Sequence, residues 1–188
     1  SLPLENQVFV PTKAYFDGLF GVFADSLPDH WGRLLLKRLL LAHEQNPDKL
    51  TVIDRLAIVG KSGMGALTYY PEQSFSENDN TDLDELAFQC QKILHTEYSD
   101  KLDELYRLGG TSGGARPKIM TTINDEDWII KFSAHVDGEN AGKMEYDYSC
   151  CARKCGITMS ETKLFPSEVC EGYFGIKRFD RISDISGT

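Results

Sequence analysis

The glycine-rich segment from Leu108 to Lys118 constrains the fold of this chain more than any other stretch. It reads Leu-Gly-Gly-Thr-Ser-Gly-Gly-Ala-Arg-Pro-Lys, and so holds four glycines, two hydroxyl residues and two cations in eleven positions. Glycine permits positive φ and a close approach of the backbone to a ligand, and successive backbone N–H groups can surround an anion. The segment is therefore a candidate phosphate-binding loop, and its neighbours decide which kind.

The hydrophobic periodicity changes across this segment. Before it, apolar residues over 83–108 recur at helical spacing with a break near Ser99, and the helix is expected to end at Gly109. After it, residues 118–123 and 128–133 have strand character and are separated by a polar turn, which predicts a β-hairpin. The order is therefore helix, loop, strand.

The remaining periodicity predicts an α+β fold with a helix-rich first third. We expect short helical turns in 14–27, helices at 31–45, 50–59 and 143–154, and strands at 66–71, 157–165 and 172–179. Thr51 is a candidate N-cap with Asp54 three residues later. The acidic, aperiodic stretch near 73–82 predicts a linker between an amino-terminal subdomain, 1–72, and a second unit, 83–188.

Composition narrows the class of protein. The net charge of −9 argues against a nucleic-acid-binding surface over the whole chain, and the sequence contains no apolar run long enough to span a membrane. The first residues do not have the pattern of a signal peptide. The five cysteines form no CxxC pair, so we expect Cys150, Cys151 and Cys155 to be reduced and in or near a core, and the protein to be cytoplasmic.

Two enzyme classes fit the glycine-rich segment poorly. A nucleoside triphosphatase loop needs GxxxxGK[ST] between a strand and a helix, and neither Leu108–Lys118 nor the second glycine-rich turn, Gly60–Gly65, has that spacing. Residues 110–114 match GxSxG, which makes Ser112 a candidate hydrolase nucleophile. That motif also needs a strand before it and a helix after it, so the hydrolase stays a minor alternative.

A protein-kinase small lobe fits the order of elements better. In such a lobe a glycine-rich loop leads into antiparallel strands, a strand lysine contacts the nucleotide phosphates, and a helix glutamate positions that lysine. Lys131 lies in the apolar run Ile-Ile-Lys-Phe, and Glu145 follows near the start of the next predicted helix. Residues 175–181 then occupy the place where a kinase chain crosses between its lobes.

At this point the chain resembles the HipA-like serine/threonine kinases, which are the toxins of bacterial toxin–antitoxin pairs. The matching pieces are Ser26-Leu27-Pro28-Asp29-His30-Trp31-Gly32-Arg33, Asp54–Gly60 with Gly65-Ala66-Leu67, Gly113–Lys118, Trp128–Phe132, Glu145-Tyr146 and Ile176–Arg181. They span nearly the whole chain in the order that the family has. The resemblance implies a kinase small-lobe-like antiparallel sheet with helices, preceded by the helix-rich subdomain.

The resemblance also implies a function and a set of site residues. Family members use ATP and Mg²⁺ to phosphorylate a protein serine or threonine, in the best-known cases on an aminoacyl-tRNA synthetase, and so arrest growth. The implied ATP-binding residues are Thr111, Ser112, Gly113, Gly114, Lys131, Glu145, Lys177, Arg178 and Phe179. Lys177 to Phe179 would be the hinge beside adenine, and Thr111 and Ser112 are both candidates for the autophosphorylation that ejects this loop.

One family feature is absent from the sequence. The catalytic Asp and the magnesium ligands come from an Asp-Gly-His-x-x-Asn segment and a later Asp in the large lobe, and the chain contains no such segment. We therefore expect an amino-terminal, nucleotide-binding part of such a kinase, with no catalytic or metal-ligating residue of its own. It is predicted to bind ATP weakly and to be inactive alone. The alternative is a module that binds a small DNA-binding antitoxin, with the exposed face of residues 14–27 as the first candidate interface.

Overall fold

The computed structural model describes residues 5–10, 15–61, 63–65, 67–71, 82–134 and 136–180. Within these residues the fold is α+β, as predicted, with six α-helices and one antiparallel sheet. The predicted linker lies outside the described residues apart from Asp82, and the polar tail lies outside them after Asp180. The boundary between the two predicted units stays a prediction.

Among the described residues, five α-helices come before the first strand, and the sixth lies between the two pairs of strands. The helices are α1 (Gly21–Ala24), α2 (His30–Ala42), α3 (Val52–Val59), α4 (Leu83–Leu94), α5 (Leu102–Gly109) and α6 (Ala141–Lys154), with short 3-10 helices at Tyr15–Gly18 and Pro47–Lys49. The strands are β1 (Lys118–Ile123), β2 (Glu126–Lys131), β3 (Thr162–Phe165) and β4 (Tyr173–Lys177). The break between α4 and α5 and the end of α5 at Gly109 confirm the sequence predictions.

The amino-terminal helices begin where the sequence supplies caps. The Thr51 hydroxyl accepts a hydrogen bond from the Asp54 N–H, while the Asp54 carboxylate accepts one from the Thr51 N–H, so α3 opens with a complete capping box. Helix α2 buries Trp31, Leu35 and Leu39 on one face and leaves Arg33, Lys37 and Leu41 exposed on the other. It is therefore an amphipathic helix that packs one face on the core, and the expectation of burial around most of its circumference is wrong.

The predicted strand at 66–71 is wrong. Residues 67–71, its described part, form no strand. The Tyr69 N–H donates to the Gly60 carbonyl at 3.1 Å, and the Tyr69 hydroxyl donates to Ser26 Oγ at 2.8 Å. Tyr69 therefore finds its hydrogen-bond partners just after α3 and between α1 and α2, in place of a neighbouring strand.

The sheet has the strand order β1-β2-β4-β3, and every neighbouring pair is antiparallel. The β1–β2 hairpin turns at Asn124 and Asp125, which both have positive φ, at 52° and 61°. Such a two-residue turn matches the twist of the flanking strands. It lets β2 begin at Glu126, two residues earlier than predicted.

Strand β3 is shorter than the predicted 157–165. After α6, Gly156 takes a φ of +80° and the Ile157 N–H donates back to the Ala152 carbonyl at 3.1 Å. This glycine-dependent helix ending uses backbone groups that a strand would otherwise pair. Pairing with β4 therefore starts only at Thr162.

The buried residues form one continuous core. Helix α2 packs on α5, α5 packs on β1, and the cluster continues through the sheet to Trp128 and Phe165, whose rings meet edge to face with centroids 5.3 Å apart. Asp84 in the first turn of α4 accepts hydrogen bonds from the Tyr173 hydroxyl at 2.8 Å and the Ser167 hydroxyl at 2.7 Å. The helices on both sides of the predicted linker therefore share a core with the sheet.

The cysteine prediction fails on α6. Cys151 and Cys155 are exposed and Cys150 is half-buried, whereas the deeply buried cysteine is Cys90 on α4. Burial raises the pKa of the Cys90 thiol, which keeps it protonated. The cause is the orientation of α6, which packs on the sheet through the face that carries the buried Ser149.

No helix among the described residues is long and apolar enough to cross a membrane.

Candidate functional site

An open cleft of about 1120 Å³ lies at the end of the sheet where β1 begins and β2 ends. Its lining comes from the glycine-rich segment over 113–116, from Lys118 and Lys131 on the two strands, and from the first turns of α6. Parts of the chain that are far apart in sequence thus meet around one space. The glycine-rich segment covers one side of it.

Lys131 and Glu145 form an ion pair in the wall of this cleft. Lys131 is the last residue of β2, and its Nζ also lies 5.2 Å from the centroid of the Phe174 ring on the neighbouring strand. The two paired side chains are 32% and 38% exposed. The lysine is therefore held in place by a strand, a ring and a carboxylate, while part of it remains open to the cleft.

A second lysine stands directly across the hairpin. Lys118 is the register partner of Lys131 and donates a hydrogen bond from Nζ to the Gly113 carbonyl. Burial, followed by the positive charge of Lys131, lowers the pKa of Lys118, although the carboxylates of Asp29 and Glu145 oppose the shift. One end of the sheet thus carries two amines, one facing the cleft and one supporting the loop. Sequence reasoning had counted Lys118 in the loop without giving it a role.

Asp29 and the start of α2 hold the glycine-rich segment. The Gly114 N–H donates to Asp29 Oδ2 at 2.9 Å, and the Gly114 carbonyl accepts from the Trp31 N–H at 3.2 Å. Gly114 has a φ of +93°, a conformation that favours glycine. The expectation of a row of free N–H groups is therefore wrong at Gly114, because the protein itself uses this donor.

Thr111 and Ser112 lie beneath the loop and not in the cleft. Both are buried, and Ser112 donates through its hydroxyl and its N–H to the Gly109 carbonyl, at 2.6 and 3.1 Å. A hydrolase nucleophile must reach a substrate, so the Ser112 hydrolase prediction is wrong for this structure. Neither hydroxyl is presented for modification in this conformation.

Arg116 and Asp137 bridge the loop to the segment before α6. The guanidinium donates to both carboxylate oxygens, with Nε–Oδ2 at 2.9 Å and Nη2–Oδ1 at 2.7 Å. Burial opposes ionisation, but the hydrogen bonds from Arg116 and from the Ala134 N–H, together with the Arg116 charge, lower the pKa of Asp137. A two-point contact of this kind fixes geometry as well as charge.

The predicted hinge lies beyond the lining of the cleft. Ile176 lines it, whereas Lys177, Arg178 and Phe179 do not. The Lys177 N–H donates to the Glu161 carbonyl at 2.9 Å and the Arg178 N–H to the Asp127 carbonyl at 2.8 Å, while the Lys177 side chain pairs with Glu126. These two backbone donors are therefore engaged within the protein.

Phe179 and Asp180 complete the hinge segment. Phe179 is 86% exposed. Asp180 accepts two hydrogen bonds from the Arg178 guanidinium, at 2.9 and 2.6 Å, and one from the Gly65 N–H at 3.1 Å. The hinge is thus tied to the turn at Gly60–Gly65, and the neighbouring Met64 reaches the cleft lining.

Sequence reasoning missed Asp29, Met64 and Asp137 as parts of this site, and it counted Arg116 only as one of the two cations of the loop. Asp29 precedes a helix, where an acidic residue ordinarily caps its own helix. The charges at Arg116 and Asp137 were visible, but no spacing rule links residues 21 positions apart. Only their meeting around the cleft distinguishes them from surface charges.

Comparison with protein-family models places both parts of the chain in one family. Residues 1–70 match the HipA N-terminal domain, and residues 110–186 match the HipA-like C-terminal domain. The chain belongs to the HipA-like proteins. A search of the curated proteins and a search of the solved structures each gave no match.

Both matches contribute residues to the cleft of this HipA-like protein. The amino-terminal match contains Met64 in the lining and Asp29, which holds Gly114, whereas the carboxy-terminal match contains residues 113–116 of the loop, Lys131 and Glu145. The residues present suit a phosphorylated ligand because cations and backbone line one side of the cleft. Among the described residues, no group of three His, Cys, Asp or Glu could hold a metal ion.

Proposed function

We propose that the cleft binds ATP, with the phosphates against Lys131 and the base toward Ile176 and the hinge at Lys177–Phe179. The ion pair between Lys131 and Glu145 carries this proposal. In protein kinases a strand lysine paired with a helix glutamate contacts the nucleotide phosphates. Here the pair lies at the cleft wall, below the glycine-rich segment, in the order that a kinase small lobe requires.

The neighbouring charges support the same ligand. Lys131 and Arg116 each pair with a carboxylate but remain partly exposed in the cleft lining, so an anion between them can accept hydrogen bonds from two sides. The helix α6 begins at this cleft, where its first N–H groups add a favourable potential for negative charge.

A titration of ATP with Mg²⁺ into the purified chain tests this assignment. Replacing Lys131 with Ala should weaken the affinity about tenfold or more, the effect of losing one charged contact worth roughly 1.5–3 kcal/mol. Lys163→Ala is the matched control, because Lys163 is an exposed lysine on β3 outside the cleft lining. Equal affinities in the wild type and Lys131→Ala would refute a phosphate contact at this lysine.

We further infer that this site belongs to a cytoplasmic serine/threonine protein kinase that acts as a growth-arresting toxin. Its family supports the inference, and the substrate is then a protein, with an aminoacyl-tRNA synthetase as the first candidate. Because the sequence contains no Asp-Gly-His-x-x-Asn segment, the 188-residue chain is expected to transfer no phosphoryl group alone. Incubation with radiolabelled ATP and candidate synthetases measures this, and labelling by the chain alone would contradict it.

A small DNA-binding antitoxin is the proposed protein partner. The predicted interface includes Phe16 and Val22, whose side chains are 63% and 52% exposed although both are apolar. Both residues belong to the 14–27 segment, and exposed apolar side chains can serve as contacts for a protein partner. Co-purification of the antitoxin with Phe16→Ser and Val22→Ser variants tests the interface, and undiminished recovery with both variants would exclude it.

A further inference from the structure

Asp29 occupies the N-cap position of α2 but does not cap it. Its side chain forms no cap hydrogen bond, although an N-cap Asp ordinarily accepts from the N–H groups two or three residues later. Instead, Asp29 Oδ2 accepts from the Gly114 N–H, 85 positions along the chain, at 2.9 Å. The Asp29 carboxylate therefore binds the glycine-rich segment and not the N–H groups of its own helix.

A backbone N–H group in the first turn of α2 also contacts Gly114. The first N–H groups of a helix have no partner within it. One of them, on Trp31, donates to the Gly114 carbonyl at 3.2 Å. Both backbone groups of Gly114 are therefore held by the start of α2, one by a side chain and one by the main chain.

Close backbone packing supports this attachment. A side-chain carbon added at Gly32 on α2 would overlap the Gly110 carbonyl oxygen, so the helix and the start of the loop are in direct contact. On the opposite side of the loop, Lys118 donates to the Gly113 carbonyl. The loop is consequently fixed between α2 and β1.

We propose that Asp29 is a positioning residue that holds the glycine-rich segment closed over the cleft. The amino-terminal helix then sets the position of the loop before any nucleotide arrives, which lowers the conformational cost of binding. The effect on ATP rests on the proposed function, whereas the attachment of the loop does not. The two can therefore be tested apart.

Amide hydrogen exchange in the ligand-free chain, followed by NMR, tests the attachment. Asp29→Ala should raise the exchange rate of the Gly114 N–H about tenfold to a hundredfold, the range for loss of a hydrogen bond to a charged group. The amides of α6 and β4 should exchange as in the wild type, which shows that the protein remains folded. Asp29→Asn keeps an acceptor of the same shape and should give a smaller increase.

Asp25→Ala is the matched control, because Asp25 precedes the same helix, is exposed, and has no side-chain hydrogen bond among the described residues. Unchanged exchange at Gly114 in Asp29→Ala, or an equal increase in Asp25→Ala, would overturn the proposal. If exchange responds as expected, ATP affinity should also fall in Asp29→Ala and not in Asp25→Ala. A wild-type chain that binds no ATP would refute the proposed function, while Gly114 exchange would still decide whether Asp29 holds the loop.

Discussion

The contact between Asp180 and its partners allows a quantitative test of how the hinge is held. Hydrogen bonds from Arg178, opposed by partial burial and aided by the Gly65 N–H and the Arg178 charge, lower the pKa of Asp180 from 3.8 to about 2. The Asp180 and Arg178 side chains are only 20% and 10% exposed, so water screens the interaction incompletely. This carboxylate joins the hinge to the turn at Gly60–Gly65, so its removal should destabilise both segments.

The pKa shift sets the size and sign of the effect. One pKa unit corresponds to about 1.4 kcal/mol, so a shift from 3.8 to about 2 corresponds to about 2 kcal/mol of stability at pH 7. Since the folded-state pKa lies below the unfolded value, this stabilisation is fully present above about pH 4 and is lost as the pH falls through about 2. At pH 3 about 1 kcal/mol should remain.

Urea unfolding of the wild type and Asp180→Asn at pH 7 and at pH 3 measures this dependence. The variant should be about 2 kcal/mol less stable at pH 7, and the difference should shrink toward about 1 kcal/mol at pH 3. Asp100→Asn is the control, because Asp100 is exposed and forms no side-chain hydrogen bond with the described residues. Equal stability of the wild type and Asp180→Asn at pH 7, or a difference that does not change with pH, would refute the reasoning.

Three further substitutions test the loop and the ion pair. Gly114→Ala places a side chain at a φ of +93° and should cost about 1–3 kcal/mol, measured as a lower urea midpoint. Gly32→Ala forces its new methyl group against the Gly110 carbonyl and should destabilise by about 1–3 kcal/mol, with thermal unfolding as the measurement; a wild-type melting temperature would contradict that contact. Glu145→Gln removes a partly exposed ion pair, so it should cost less than about 1 kcal/mol in urea yet weaken ATP binding, because Lys131 loses its positioning partner. A stable variant with unchanged ATP affinity would show that this pair has no part in binding.

Local sequence rules predicted most elements of the fold. Two features depend only on residues within a few positions of one another: the capping box at Thr51 and Asp54, and the end of α5 at Gly109. Both can therefore be predicted from the sequence alone. The strand predicted at 66–71 failed because its β-branched and aromatic residues describe a pleated surface that needs a partner strand. In the folded chain, Tyr69 finds its partners at Gly60 and Ser26 instead.

Only part of the candidate site could be predicted, because the rest depends on contacts between residues that are distant along the chain. The sequence indicated Lys131 and Glu145 through the order of elements, and the structure brings them together 14 positions apart. It indicated Thr111 and Ser112 equally well, but both side chains are buried. Their burial depends on the packing of α5 and β1 around the loop, which no local sequence pattern predicts. The exposed Met144 and Tyr148 lie on an apolar stripe of α6 that borders the cleft and not the core.

By itself the sequence determined the α+β class, the glycine-rich segment, the strand lysine and the helix glutamate. Only the tertiary structure decided that Asp29 holds Gly114, that Lys118 supports the loop, and that the Ser112 hydroxyl is closed off beneath it. The physical reason is the distance along the chain. Periodicity and caps arise from neighbouring residues, whereas a hydrogen bond between residues 85 positions apart exists only after α2 has packed against α5 and brought its first turn to the loop.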